Sequence, residues 1–441
     1  MTISDPALTG HEAIGRESIG HESIGRASIG RVSIGKGIHI VGGGLTGYAA
    51  ALSLAAAGFP VNIYQPHVPA VDQLRTTTIN PAAYAMLDQL GVVAALPDDA
   101  LTPVHHIMVT DDADRANPLD PVMSWSHTKS GRGKRNNEKT DHAPTPLAWV
   151  ISNAVLVHAM QHMITASKLI TCHALSMTGY HPRHPDYDHA AAALVSADDA
   201  LIPASLIIAA DGRNSQLRHA AGIRQISRNL GQTAIVSQIT MTEPHRQIAW
   251  QRFLSGGPIA LMPMADPHMF SLVWSMTNAD AARLMDADKD RFAMALDDAT
   301  GLAFGRMTDM TDRQAFAVIP THAMWPVAQR MALIGDAAHA INPLAGQGYN
   351  LALADIKTLT HVLTTARRDG IDIGSHHILN RYALARAPEV AAMTLATDGL
   401  NMLFSFGKKR RRLAGMGMAL ANLPMVKSLA ERVASGRMFG R

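Results

Sequence analysis

A 441-residue chain with one cysteine, Cys172, has no partner for an internal disulfide and too few thiolates for a cysteine-built zinc or iron–sulfur site. Its single thiol fits a reducing compartment. Charged residues (DEKR) make up only 17% and aromatic residues 5%, against 47% hydrophobic, so the chain is too apolar to be disordered throughout. Long apolar runs are also missing. The longest, at 48–59, falls short of the about 18 residues that cross a bilayer, and no membrane span is expected. The first 36 residues lack an apolar h-region and mix Glu12, Glu17 and Glu22 with Arg16, Arg26 and Arg31. Neither a secretory signal nor an acid-poor transit peptide is expected there, which places the protein on the cytoplasmic side. An excess of one charge is lacking too: 39 Lys+Arg less 36 Asp+Glu leaves +3, not the dense basic field that grips nucleic acid. The 22 His are scattered without HExxH or similar spacing, so no metal site is expected.

What is present is glycine and methionine, 34 and 24 residues, and an uneven distribution of polarity. From Gly10 to Gly35 a five-residue unit repeats (GHEAI, GRESI, GHESI, GRASI, GRVSI) with neither the 3.6 period of a helix nor the 2 of a strand. It reads as a low-complexity tail. Ile38, Ile40 and Val41 give a short apolar strand, followed by glycines, an Ala/Leu-rich helix over 46–57 stopped by Gly58, and a second strand at 61–64. This is the start of a βαβ unit. The chain turns polar around KSGRGKRNNEKTDHAP, which reads as a loop insertion, and a helix is expected over 152–166. Strands of a mixed sheet are expected within 231–273, and the C-terminal part from about Leu379 reads as helical.

Three motifs carry chemistry. Gly42-Gly43-Gly44-Leu45-Thr46-Gly47 is a GxGxxG between strand and helix. Gly42 allows the tight turn, Gly44 lets a pyrophosphate approach the backbone, and Gly47 lets helix and strand pack closely. At the end of the second strand, where an acid usually binds the ribose, stands Gln65, whose amide lacks the charge-assisted strength of a carboxylate. The second motif is an apolar strand ending in Asp211-Gly212-Arg213-Asn214-Ser215, which puts a carboxylate at a strand's carboxyl edge; an ordinary Asp-Gly turn explains it equally well. The third is Leu333-Ile334-Gly335-Asp336-Ala337-Ala338-His339, then Asn342-Pro343-Leu344-Ala345-Gly346-Gln347-Gly348-Tyr349-Asn350. Here a strand delivers Asp336, suited to accept hydrogen bonds from a polyol such as a ribityl chain. The following helix N-terminus suits negative charge on the N1/C2=O edge of a reduced flavin. His339 sits where a base could act, but a packed, hydrogen-bonded role fits it better.

The order and spacing of these motifs, with RTTTINPAAYAMLDQLGV, AWQRFLSGGPIALMPM and ATDGLNMLFS, resemble the class A flavoprotein aromatic hydroxylases. Within these they resemble the ubiquinone-biosynthesis hydroxylases of the UbiH/VisC type, over Gly37 to Gly440. The resemblance implies an α/β fold: a Rossmann-like FAD-binding domain in three segments (37–110, 147–225 and 321–378), a polar loop insertion at 111–146 and a mixed-sheet substrate domain at 226–320. It adds C-terminal helices at 379–441 behind the 1–36 tail. It implies that Gly42, Gly44 and Gly47 hold the FAD pyrophosphate with Arg75, and that Gln65 takes the ribose position. Asp336, after Gly335, would bind the ribityl chain. Pro343 would lie by the isoalloxazine, with Gly346, Gln347, Gly348 and Asn350 along its pyrimidine side. Asp211 and Gly212 match a motif serving both FAD and the pyridine nucleotide. The family's Glu-Asn-Arg pattern appears as Ser152-Asn153-Ala154, so a cationic FAD contact is missing.

The implied reaction is NAD(P)H- and O2-dependent hydroxylation of a polyprenylated phenol through a flavin C4a-hydroperoxide. No catalytic acid or base can be named. Leu261, Met262 and Met264 suit either a greasy substrate wall or a plain core. The run KKRRR at 408–412, followed by Leu413, Met416, Leu420 and Leu423, suits a peripheral contact with the inner membrane or a biosynthetic complex. A solvated helix end is the plainer alternative. Two other functions stay open: hydroxylation of a small soluble aromatic compound, and a catalytically silent flavoprotein scaffold.

Overall fold

The computed structural model describes residues 37–66, 74–112, 117–126, 145–186, 191–342, 346 and 348–405, with 398–405 described by backbone alone. The repeat tail, the KKRRR run, Pro343 and Gln347 lie outside the described residues.

Short, wholly apolar runs build the first sheet. Ile38–Val41 and Leu206–Ala209 are buried at every position and pair in parallel, Ile38 opposite Leu206. The sheet runs Val327–Ala328, Met331–Leu333, Leu206–Ala209, Ile38–Val41, Val61–Tyr64, Ile170–His173. All neighbours are parallel except at the Val327–Ala328 edge. Parallel strands need covered faces. On one face Ile38, Ile40, Val61 and Ile63 join Leu54, Leu156, Ile356 and Leu359 in a single core. Those partners come from the helices Leu45–Ala56, Asn153–Ala166 and Gly348–Arg368. The alternate positions carry polar rings: Tyr64 stacks on His173 at 4.7 Å and lies parallel to His39 at 5.5 Å.

The second sheet has eight strands: Met307–Met310, Gln232–Met241, Met269–Thr277, Gly257–Pro263, Ile248–Leu254, His106–Asp111 and Met123–Ser126 in that order, with Gln314–Ala317 also paired to Gln232–Met241. One face buries Ile235, Trp250, Leu261, Phe270 and Trp274 against Phe292 and Leu296 of the helix Lys289–Thr300. The other packs Ala249, Ala260 and Met262 on Val104, Ala148 and Val150. These belong to a three-stranded sheet of Thr76–Ile79, Ala148–Ser152 and Thr102–Val104. Asn80 then caps the helix Pro81–Gln89, accepting from the Ala83 N–H at 2.8 Å, with Pro81 in the first turn where its missing N–H costs nothing.

Three sequence expectations shift. The 111–146 insertion is not all loop: Met123–Ser126 pairs antiparallel with His106–Asp111, so the large sheet recruits strands from before residue 226. Leu261 and Met262 are plain core, buried on opposite faces of one strand. The C-terminal helix begins at His376, ahead of the expected boundary, and runs to Ser405.

Candidate functional site

The glycine turn is dictated by crowding on two sides and space on the third. At Gly42, with φ +114°, a Cβ would lie 2.2 Å from the Ala210 carbonyl oxygen of the neighbouring strand's end. At Gly47 it would lie 1.9 Å from the Gly42 oxygen. Both positions are glycine because backbone meets backbone there. Gly44 differs: it is the N-cap of Leu45–Ala56, has an ordinary φ of −88°, and nothing lies within 4 Å of its Cβ position. Open space faces a helix N-terminus, where unpaired N–H groups and the helix dipole favour an anion.

Gln65 follows the strand Val61–Tyr64, and its Oε1 accepts the Tyr48 hydroxyl at 2.9 Å. The Tyr48 oxygen in turn accepts Gln161 Nε2–H at 3.1 Å. The amide folds over Gly43, where a Cβ would fall 1.2 Å from Oε1. Arg75, expected at the phosphates, stacks its guanidinium 3.8 Å over the Phe316 ring. Its carbonyl accepts the Asn153 N–H at 3.0 Å. In the departed Ser152-Asn153-Ala154 stretch, Asn153 Oδ1 is a buried acceptor with no partner among the described residues.

Asp211 accepts the Leu217 N–H on Oδ2 at 3.2 Å, while its Oδ1 is buried and has no partner among the described residues. Gly212, at φ +82°, also faces open space. Buried Arg218 donates to the Arg213 and Ala337 carbonyls, each at 2.8 Å, and so staples the Asp-Gly turn to the turn carrying Asp336. Gly335, at φ +56°, presses on Thr46 of the glycine turn, 2.9 Å from its Cβ position. Asp336 itself is exposed on the turn Gly335–Ala337.

Beneath that turn lies Asp355, fully buried. Its Oδ2 accepts the Gly335 N–H at 3.0 Å and His339 Nε2 at 2.6 Å, and its Oδ1 accepts Arg386 Nε at 2.7 Å. Arg386 also pairs with Glu389. Burial alone would raise the Asp355 carboxyl, but His339 and Arg386 hold it below the usual carboxylate range. Burial works against the Arg386 charge as well, and the acids Asp355 and Glu389 reverse that. His339 is therefore held as a buried hydrogen-bond partner of Asp355, in line with its packed, hydrogen-bonded reading. Beyond it opens a cavity of about 530 Å³, walled by Met324, Trp325, Tyr382 and Leu395; no residue expected to bind FAD lines it.

Gly346, at φ +66°, lies against Thr78, whose N–H is 3.0 Å from the Cβ position. Gly348 opens the helix Gly348–Arg368, and its Cβ position meets nothing within 4 Å among the described residues. Asn350, expected along the pyrimidine side, is engaged within the protein. Its side chain accepts the Asn80 N–H at 3.0 Å and donates to the Thr78 carbonyl at 2.7 Å, clamping this helix to the strand Thr76–Ile79.

Gly42–Gly47, Asp211–Gly212 and Gly335–Asp336 thus converge at the carboxyl ends of adjacent parallel strands, where α/β sheets bind ligands. Two glycines, Gly44 and Gly212, whose Cβ positions meet nothing among the described residues, one buried carboxylate oxygen without a partner among them and one exposed carboxylate suit a long ligand with a phosphate segment and a polyol segment. Sequence reasoning missed Tyr48, Gln161, Asp355 and Arg386. Asp355 had a signal: it is the one acid among the apolar positions Leu351, Leu359 and Val362 of a helix face.

Residues 37–397 match the family model described as FAD binding domain. The chain belongs to that FAD-binding family. FAD is the cofactor the cradle fits, and NAD(P)H is the usual reductant of the class. The chain is 31% identical to the ubiquinone hydroxylase UbiL of Rhodospirillum rubrum over 371 residues, covering 83% of this chain and 81% of that one, which places the two in one family. It is 33% identical to the human mitochondrial ubiquinone biosynthesis monooxygenase COQ6 over 302 residues, 59% of this chain. That match spans 64% of the human protein, less than two thirds of its length. Among solved structures, p-nitrophenol 4-monooxygenase PnpA from Pseudomonas putida superimposes with a TM-score of 0.70 at 15% identity, over 92% of this chain and 99% of that one, and shares the fold.

Proposed function

We propose that the chain is an FAD-dependent monooxygenase that hydroxylates the aromatic ring of a polyprenylated phenol in ubiquinone biosynthesis. The observation that carries this reading is the meeting of three turns on one open cradle, in a chain that aligns with UbiL over four fifths of its length. The balance is ring C–H, O2, NAD(P)H and a proton giving ring C–OH, water and NAD(P)+. FAD, when bound, supplies the two-electron reduction and the activation of O2. The glycine turn and the Leu45–Ala56 N-terminus would hold its pyrophosphate, Asp336 would accept from its ribityl hydroxyls, and the positive end of Gly348–Arg368 would favour charge on its pyrimidine edge.

The protein's own work is positioning and exclusion of water. The test is NAD(P)H oxidation by the purified flavoprotein: stimulation by a prenylated phenol, with none from free hydroxybenzoates, supports the reading. The reverse pattern favours a small soluble substrate, and no FAD with no stimulated oxidation favours a silent scaffold.

Peripheral membrane contact belongs to the same proposal. Its support is the KKRRR run at 408–412 with the apolar residues that follow, at about 1 kcal/mol per basic residue near an anionic surface. Flotation with anionic vesicles, lost when the five residues become glutamine, tests it.

A further inference from the structure

The ribose end of the cradle carries a built-in polarity. Gln161 offers Nε2 to the Tyr48 oxygen at 3.1 Å, and a side-chain NH2 can only donate. The single Tyr48 proton is thereby left for Gln65 Oε1, at 2.9 Å. Tyr48 is 1% exposed, in the core of Leu45–Ala56, so its hydroxyl has no water to turn to. The Gln65 carbonyl oxygen is pressed into the space left by the missing Gly43 side chain. What remains for a ligand is the Gln65 NH2 group. A carboxylate at this position accepts from ribose hydroxyls and repels a 2′-phosphate.

We propose that Tyr48 and Gln161 set the hydrogen-bonding polarity of the adenosine-ribose subsite, holding Gln65 as a donor, so that the subsite takes a ribose bearing an acceptor, either a hydroxyl or a 2′-phosphate. Tyr48 and Gln161 are positioning residues, and Gln65 is the specificity residue. The inference rests on FAD lying with its ribose at Gln65, and on nothing about the hydroxylated substrate. The relay is reversible by one distant change. In Gln161→Glu the carboxylate would accept the Tyr48 proton, the Tyr48 oxygen would then accept from Gln65 Nε2, and the Gln65 carbonyl would turn to the ribose.

The test is displacement of FAD from the full-length flavoprotein, read by the fluorescence of released FAD, with 5′-AMP and adenosine 2′,5′-bisphosphate as competitors. In the unaltered protein the bisphosphate should compete at least as well as 5′-AMP. Gln65→Glu should weaken the bisphosphate at least about tenfold relative to 5′-AMP and tighten FAD. Gln161→Glu, which does not touch the nucleotide, should move the ratio the same way by about threefold, and Tyr48→Phe should lower it part-way with little change in 5′-AMP. A merely structural role for Tyr48 or Gln161 would weaken both competitors together and leave the ratio fixed, which would overturn the proposal. So would an unaltered protein that rejects the bisphosphate as strongly as Gln65→Glu. Failure of the protein to bind FAD at all would contradict the cofactor assignment instead.

Discussion

Asp355 and Arg386 sit on different helices, 31 residues apart, and their buried side chains meet at 2.7 Å. Through the other oxygen of the same carboxylate, this contact reaches His339 and the backbone of Gly335. The turn that presents Asp336 is thus braced from behind by a buried carboxylate and its hydrogen-bonded partners.

Removing the hub charge should therefore be felt both in the fold and at the cofactor. Asp355→Asn leaves Arg386 with only part of its neutralisation in a buried setting. A broken buried pair costs about 3–5 kcal/mol. Urea unfolding should show a loss of that order, and the variant should retain less FAD on purification.

The three structural roles of glycine in the first turn are separable. Gly44→Ala introduces a methyl where the protein has no atom within 4 Å, at a φ that alanine adopts freely. Its apoprotein should melt within about 1 °C of the parent while FAD binding weakens at least about tenfold, roughly 1.4 kcal/mol. Gly47→Ala, with its contact to the Gly42 oxygen, should lower the melting temperature as well. Differential scanning fluorimetry beside FAD titration distinguishes the two.

These three turns were legible in the sequence because each rests on short spacing and local backbone geometry. A strand, a glycine with a required φ and a helix start lie within a dozen residues of one another. The partners that orient them were not legible. Tyr48 reads as one more residue of an apolar run, and its tie to Gln65 depends on how α and β elements pack. Arg386 reads as a surface charge until the fold brings it to Asp355. Met123–Ser126 alternates too briefly, MSWS, to be separated from the polar stretch around it, and pairing with His106–Asp111 makes it a strand. Leu261 and Met262 are adjacent apolar residues whose opposite burial requires knowing that both sheet faces are covered.

A pH dependence of stability follows from His39. It is fully buried, with Nδ1 3.0 Å from the Tyr64 hydroxyl, and burial, reinforced by nearby His173, lowers its pKa to about 4. The unfolded chain takes up that proton near 6.5, so it binds more protons than the native state between the two values. The contribution is complete above about pH 6.5 and is lost as pH falls towards 4, amounting to about 3 kcal/mol. Urea unfolding across that window should show the decline, and His39→Asn should flatten it.

The Asn350 clamp gives a purely structural prediction. Asn350→Ala strands the Asn80 N–H and removes a donor from the Thr78 carbonyl, both in the interior. The expected cost is about 1–3 kcal/mol, measured by denaturant unfolding of the apoprotein so that cofactor binding does not mask it.

The central claim, that this flavoprotein inserts one atom of O2 into the ring of a prenylated phenol, is tested most directly by turnover under ¹⁸O2 with NAD(P)H and mass spectrometry of the extracted product. A prenylated product heavier by a single ¹⁸O on the ring is the predicted result. NAD(P)H oxidation that yields only hydrogen peroxide, with the prenylated phenol recovered unlabelled, would contradict it.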